Sequence, residues 1–124
     1  MIYFAIALGG ACGALSRFAV GQWVAGLGYA HLNLATFSVN VLGSLLIGLA
    51  YVGAERLNLS EPVRLSISVG FLGAFTTFSA FSIELLTEIQ EGHLARAAIY
   101  ASLTLFLCLI SCFTGIELAR SAFD

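Results

Sequence analysis

Four long apolar runs, separated by three short polar links, dominate this sequence and leave few folds open to it. The runs cover about residues 2–28, 33–54, 63–89 and 94–121. Each run meets the requirement of roughly 20 residues for a helix that crosses a bilayer. None alternates strictly between apolar and polar residues, as the strands of a transmembrane β-barrel do. We therefore predict an all-α integral membrane protein, with residues 1–124 forming a single domain of four transmembrane helices.

Charged residues are too scarce to cover a water-facing surface. They make up 10% of the chain, against 60% hydrophobic residues, whereas a soluble domain carries about 25% charged residues. The lipid bilayer is therefore the expected surrounding. No basic patch interleaved with aromatic residues occurs, so nucleic acid is not an expected partner. Four helices are also too few to form a pore or carrier alone, which predicts an oligomer.

The links predict an antiparallel arrangement of successive helices but specify the overall orientation weakly. Both termini and the second link lie on one side of the membrane, with Arg56, Arg64 and Arg120, and the other side has Arg96. Three arginines against one is a weak bias by the positive-inside rule. We expect insertion in both orientations, which tags on the termini would report from both sides of the membrane.

The second apolar run carries a polar stripe. Thr36, Asn40, Ser44 and Gly48 follow one another at intervals of four residues, with Asn40 near the middle of the span. Polar groups in a bilayer are costly unless they face protein or water. The Asn40 amide either makes a hydrogen bond between helices or donates an N–H to an anion, and the residues of this helix leave both interpretations open.

The third run is the most unusual segment, because residues 70–84 read GFLGAFTTFSAFSIE. Glycines and β-branched threonines weaken the interior of a helix, which predicts a break near residues 73–77. A broken helix at membrane depth exposes backbone groups that protein, water or an ion must satisfy. Freed carbonyl oxygens would suit a cation such as sodium.

Aromatic and charged residues near this segment suggest an anion path. Phe78 and Phe81 are three residues apart, and the positive edge of a phenylalanine ring favours an anion, although such rings commonly only pack. Arg17 either reaches the headgroups or faces a water-filled vestibule, where it would concentrate anions. Glu84 would repel an anion unless it is protonated or hydrogen-bonded elsewhere.

No enzyme motif is present. The sequence has no Gly-x-Ser-x-Gly, no phosphate-binding loop and no paired buried carboxylates. His31 and His93 lie in links without metal-ligand spacing. Cys12, Cys108 and Cys112 lie in apolar runs and are expected to pack as small side chains.

Three motifs in order resemble the Fluc (CrcB) family of small bacterial fluoride channels. They are GGACGALSRF at 9–18, NVLGSLLIG at 40–48 and the specific block GFLGAFTTFSAFSIE at 70–84. The resemblance covers nearly the whole chain. It implies an antiparallel, dual-topology homodimer in the bacterial cytoplasmic (inner) membrane, with two fluoride pathways along the dimer interface.

The resemblance also implies roles for individual residues. Asn40 would donate a hydrogen bond to fluoride, and Phe78 and Phe81 would present their ring edges to it. Arg17 would lie at a vestibule. Thr77 and Ser82 would form a polar track toward Glu84. A structural sodium ion at the two-fold axis would bind the backbone carbonyls of Gly73 and Thr76.

The sequence departs from the family pattern at four positions. Ala74 replaces a frequent glycine near the break, and Ala80 replaces a hydroxyl residue between the two phenylalanines. Cys108 and Cys112 stand where similar proteins tend to carry serine or threonine. A thiol is a weaker hydrogen-bond donor than a hydroxyl, so these positions would affect conduction or halide discrimination.

The sequence thus predicts passive, selective export of fluoride, with no enzymatic step. One alternative is a small dual-topology multidrug transporter, which would need an acidic residue deep in a span, and the first helix has none. The other is a non-conducting structural subunit of a heterodimer, in which the polar stripes only join helices.

Overall fold

The computed structural model describes residues 1–29 and 32–124, so His31 lies outside the described residues. Its helices, in chain order, are α1 (Ile2–Gly26), α2 (Leu34–Arg56), α3 (Glu61–Leu65), a π-helical segment (Ser66–Leu72), α4 (Gly73–Phe75), α5 (Phe78–Gln90) and α6 (Leu94–Phe123). Thr76 and Thr77 interrupt the helix between α4 and α5. The predicted all-α class and the break in the third span are confirmed.

Four helical spans are long and apolar enough to cross a membrane: Ile2–Gly26, Leu34–Arg56, Glu61–Gln90 and Leu94–Phe123. Their outer surfaces are apolar, with Phe4, Trp23 and Phe113 each more than 60% exposed. A soluble protein rarely exposes a contiguous apolar surface of this kind. The arrangement is that of a multi-pass membrane protein, whose outward-facing side chains contact lipid.

Glycines allow the spans to approach closely in two pairs. The second and fourth spans pack along their length, where Gly48 lies against the backbone of Cys112 and Gly115 lies against the backbone of Leu45. The first span packs against the first half of the third, mainly through Gly13 and Gly9. Small residues at such positions let helix backbones meet in a bilayer.

The π-helical segment Ser66–Leu72 was not anticipated from the sequence. It lies against α1, where the Ser66 hydroxyl donates to the Ala5 carbonyl at 2.8 Å and Gly70 lies against the Ile6 carbonyl. A π-turn commonly occurs as an irregularity inside an α-helix near functional sites. Here it precedes the break with only α4 (Gly73–Phe75) between them, so most of the middle of the third span departs from regular α-helix.

Replacing Gly48 with alanine should destabilise the protein, and Gly53→Ala should not. A methyl group at Gly48 would collide with the Cys112 backbone, whereas nothing lies within 4 Å of the corresponding point at Gly53. Overpacking of this kind typically costs about 1–3 kcal/mol, and an alanine in an open helix position is favourable by about 0.5–1 kcal/mol. Thermal unfolding of the two variants in detergent would measure the difference. Equal unfolding temperatures would contradict the close packing of α2 and α6.

Candidate ion site at the broken helix

The break at Thr76 and Thr77 turns the backbone into an extended conformation for two residues. Thr76 has φ −80° and ψ 159°, and Thr77 has φ −151° and ψ 116°. β-Branched residues favour such extended conformations. Thr77 then caps α5, because its hydroxyl oxygen accepts from the Ala80 N–H at 3.2 Å. Thr76 therefore ends α4, and Thr77 starts α5.

Asn40 satisfies the backbone that the break exposes. Its Nδ2 donates to the Thr77 carbonyl at 3.0 Å, and its Oδ1 accepts from the Thr77 N–H at 2.8 Å. Asn40 is 8% exposed, so both bonds lie in the interior of the protein. An amide has two N–H donors, so the second donor of Asn40 is not used by this pairing. The interhelical interpretation of Asn40 is correct for one N–H, and a role toward an anion remains a prediction for the other.

Arg17 reaches the same break from α1. Its Nη1 donates to the Thr76 carbonyl over a long distance of 3.4 Å, and its side chain is half-buried. The guanidinium therefore lies beside one of the two carbonyls predicted to bind sodium, rather than among the headgroups. The predicted vestibule role of Arg17 stays a prediction.

The Gly73 carbonyl is freed from the helix by the Asn40 pairing. In a continuous α-helix its partner would be the Thr77 N–H, which instead donates to Asn40. The Thr76 carbonyl accepts the long bond from Arg17. Unwound carbonyls of this kind coordinate sodium in membrane transporters. The two carbonyls named from the sequence are thus suitable donors in chemical type, although one chain supplies only part of a coordination shell.

Glu84 is held by hydroxyl groups from two other spans. The Thr36 hydroxyl donates to Oε1 at 2.6 Å, and the Tyr100 hydroxyl donates to Oε2 at 2.8 Å. Hydrogen bonds to a carboxylate are stronger than those between neutral groups. Both oxygens of this half-buried side chain therefore have a hydroxyl donor from a neighbouring span. Glu84 thereby joins α5 to α2 and α6, a role that the sequence did not indicate.

The predicted phenylalanines form a short aromatic chain. The rings of Phe78 and Phe81 have centroids 5.5 Å apart and are tilted by 47°, and Phe81 contacts Tyr100 at 5.2 Å with a tilt of 54°. Tilted arrangements bring ring edges toward ring faces. Phe78 is nevertheless 78% exposed, so one face of this chain of rings is not covered by the protein.

A cavity of about 450 Å³ lies beside the break, and we call it the break cavity. It is open on one side. Among the predicted site residues, those that line it are Asn40, Gly73, Thr76, Thr77, Phe78 and Phe81.

The other predicted residues do not line the break cavity. The Ser82 hydroxyl donates to the Phe78 carbonyl of its own helix at 2.8 Å. Glu84 accepts a hydrogen bond from Tyr100, and the Tyr100 ring contacts Phe81 of the cavity lining. Arg17 lies at the break on the side of α1. The structure thus groups six of the nine predicted residues around one cavity.

Sequence reasoning assigned no role in the site to Tyr100 and Thr104 of α6, and it named Thr36 and Ser44 of α2 only as members of a polar stripe. Thr104, Cys108 and Ser44 line the break cavity, and Thr36 and Tyr100 bind Glu84. The signal was present, because Tyr100, Thr104 and Cys108 repeat at intervals of four residues. That stripe is only mildly polar, however, and a packing role explained it equally well.

A second polar cluster lies where α5 meets α6, away from the break. Glu88 is 7% exposed; it accepts from Arg96 at 3.0 Å and lies 3.1 Å from His93 Nδ1. Glu88, Glu91 and His93 have ligand atoms within 4.8 Å of one another. The expectation that His93 has no metal-ligand spacing was therefore wrong, because the turn at Gly92 brings it back toward Glu88. The Arg96 guanidinium already forms an ion pair with the buried Glu88 carboxylate.

Substituting Asn40 with alanine should destabilise the break. The Thr77 N–H would lose its partner, and a buried unsatisfied polar group costs about 1–3 kcal/mol. Ser44→Ala, one turn further along α2, is the matched control because it leaves the Thr77 pairing intact. Thermal unfolding in detergent would compare the two. An Asn40→Ala variant that unfolds at the same temperature as Ser44→Ala would show that another group satisfies Thr77.

Comparisons with known proteins agree with the pattern of motifs. A sequence profile of the family described as "CrcB-like protein, Camphor Resistance (CrcB)" matches residues 4–116. The chain is 39% identical over 116 residues to a protein named fluoride-specific ion channel FluC from Idiomarina loihiensis, covering 94% of this chain and 90% of that protein. Proteins of the same name from Stutzerimonas stutzeri and Thermus thermophilus are 42% and 45% identical, covering 94% of this chain and 95% and 91% of their own lengths.

Proposed function

The chain belongs to the CrcB family, and we propose from this membership and from the break cavity that it is a fluoride-selective ion channel. The cavity is the observation that carries the proposal. It lies beside a break in the middle of a span and is lined by an amide, hydroxyl groups and two phenylalanine rings, with no aspartate or glutamate among its described lining residues. Such a lining favours a small anion over a cation.

Groups in the cavity replace the water around fluoride in this mechanism. The second N–H of Asn40 and the hydroxyl of Ser44 are donors, and the ring edges of Phe78 and Phe81 are weaker attractive groups. Donors in a low-dielectric site act more strongly on an anion than they do in water. Because fluoride is smaller and more tightly hydrated than chloride, a narrow path with close donors selects for it.

Flow through the channel is passive and outward across the bacterial cytoplasmic (inner) membrane. Hydrogen fluoride that enters from an acidic exterior dissociates inside and is trapped as the anion. The membrane potential, worth about 2.3 kcal/mol per unit charge for each 100 mV, then drives the anion out. No covalent step is needed, so the proposed activity is not enzymatic.

The alternatives have less support. A proton-coupled multidrug transporter needs an acidic residue exposed to its substrate path. Glu84 does not line the break cavity, and both of its oxygens accept hydrogen bonds from hydroxyl groups. A non-conducting subunit of a heterodimer would tolerate apolar changes at the ring positions without loss of flux.

The functional unit in this proposal is an antiparallel homodimer with dual topology. One flank of the break cavity is open, and α5 has few contacts with the rest of the chain. A second copy would cover the exposed Phe78 ring and close the cavity into a path. In a two-fold dimer the same path occurs twice, which gives two pores.

A structural sodium ion would bind at the contact between the two copies. The carbonyls of Gly73 and Thr76 would hold it, and each chain supplies only these two oxygens. The adjacent Arg17 guanidinium opposes a second positive charge, so the ion would need the matching carbonyls of the partner. When bound, the ion would offset the negative ends of the carbonyl dipoles at the break.

Purified protein in liposomes should release fluoride quickly and chloride slowly, and Phe81→Ile should reduce the fluoride flux. The substitution removes an aromatic edge from the cavity lining but keeps a large apolar side chain at that position. Phe106→Ile is the matched control, because Phe106 lies on α6 with 61% exposure and does not line the cavity. A fluoride electrode measures both fluxes. Equal flux from Phe81→Ile and Phe106→Ile would contradict the assignment, and no flux from well-formed wild-type dimers would contradict the function.

Replacing sodium with a large organic cation should weaken the dimer. The carbonyls at the break would then lose their shared ligand, while the contacts within each chain would remain. Size-exclusion chromatography in detergent, with sodium chloride or N-methylglucamine chloride at equal ionic strength, measures the dimer fraction. The same dimer fraction and unfolding temperature in both salts would contradict the sodium site.

A further inference from the structure

Thr104 has a buried hydroxyl whose environment differs from that of other threonines in the spans. The hydroxyls of Thr87 and Thr114 donate to the carbonyls of Ile83 and Ile110, four residues earlier, at 2.8 Å. Thr104 is 8% exposed, and its hydroxyl has no hydrogen-bond partner among the described residues. A buried unsatisfied hydroxyl is unfavourable. Thr104 lines the break cavity, so its unpaired hydroxyl is a buried polar group in the wall of that cavity.

Cys108 follows Thr104 by one helical turn and lines the same cavity. Residues four apart share a face of a helix, so the thiol lies next to the unpaired hydroxyl. Cys108 is half-buried and forms no disulfide. The other two cysteines differ from it. Cys112 is not among the lining residues of the cavity, and Cys12 is exposed on α1.

We propose that Cys108 is a modification site inside the ion path, so that a small thiol-reactive electrophile attached to its sulfur blocks conduction. The inference rests on the proposed function and adds a chemical sensitivity to the same site. A side chain of serine or threonine at this position would not react in this way, which makes the sensitivity a property of this chain's thiol.

The reaction is thiol–disulfide exchange with a methanethiosulfonate. The Cys108 thiolate attacks the divalent sulfur of methyl methanethiosulfonate, forms a new S–S bond and displaces methanesulfinate, which leaves with the electron pair of the broken bond. The product carries an uncharged methylthio group. Its effect on flux is therefore steric and not electrostatic, and a thiol reductant removes it.

The experiment compares two variants in liposomes before and after treatment with methyl methanethiosulfonate. The double variant Cys12→Ser, Cys112→Ser keeps only Cys108, and Cys108→Ser keeps the other two thiols. Intact-mass spectrometry counts the attached methylthio groups, and a fluoride electrode measures the flux. Each variant is compared with its own untreated flux.

The double variant should gain one methylthio group, lose most of its fluoride flux and regain it after reduction. Cys108→Ser should keep its own untreated flux after the same treatment. Complete modification of Cys108 with unchanged flux would overturn the inference and leave the channel function standing. An unreactive Cys108 in protein that conducts fluoride would also overturn it. If the untreated wild-type protein conducts no fluoride, the proposed function fails, and this inference fails with it.

Discussion

The pairing of Asn40 with the backbone of Thr77 is the interaction on which the rest of the site depends. A bilayer offers no water to an exposed N–H or carbonyl, so a membrane helix can be broken only where protein supplies partners. One amide side chain supplies both partners here, as donor at 3.0 Å and acceptor at 2.8 Å. Without it, the Thr77 N–H would be left unpaired in the interior of the protein, and a continuous helix would be favoured over the break.

Three further features follow from the break. The Gly73 carbonyl loses its usual helical partner because the Thr77 N–H donates elsewhere. α5 begins anew at Phe78 and has few contacts with α2 and α6. Glu84 provides one contact with each helix, through the hydroxyls of Thr36 on α2 and Tyr100 on α6. The carboxylate therefore stabilises the position of the second half of the span. Its two oxygens face these hydroxyl donors, and Glu84 does not line the cavity.

The sequence predicted the elements well because the bilayer requires long apolar runs, and it predicted the break because glycine and paired threonines disfavour helix. It identified Asn40, Phe78 and Phe81 because a specific motif carries the phenylalanines and a polar stripe carries the asparagine. It did not indicate which partner each polar group would take. The pairing of Asn40 with Thr77, and of Glu84 with Thr36 and Tyr100, joins residues 16 to 48 positions apart. Such pairs depend on how the helices pack, and no local pattern encodes them.

The π-helical segment and the cluster at Glu88 were missed for different reasons. The segment Ser66–Leu72 lies against α1, whose carbonyl at Ala5 accepts from Ser66, so its geometry is a response to a neighbour. His93 returns to Glu88 through Gly92, whose φ of +82° is readily adopted by glycine. The geometry of the first segment is set by contact with α1, and the return of His93 is set by the turn at Gly92.

One chain leaves the central features of the site half complete, and this is the strongest physical reason to expect a second copy. The Phe78 ring is 78% exposed beside the break cavity, where it has only Phe81 as an aromatic neighbour. Two carbonyl oxygens are too few for a sodium ion, and one of them already faces Arg17. A lipid tail could cover the ring, but it has no oxygen to offer at this depth. A second copy of this chain would meet both requirements at once, because it brings a further pair of break carbonyls and an apolar surface.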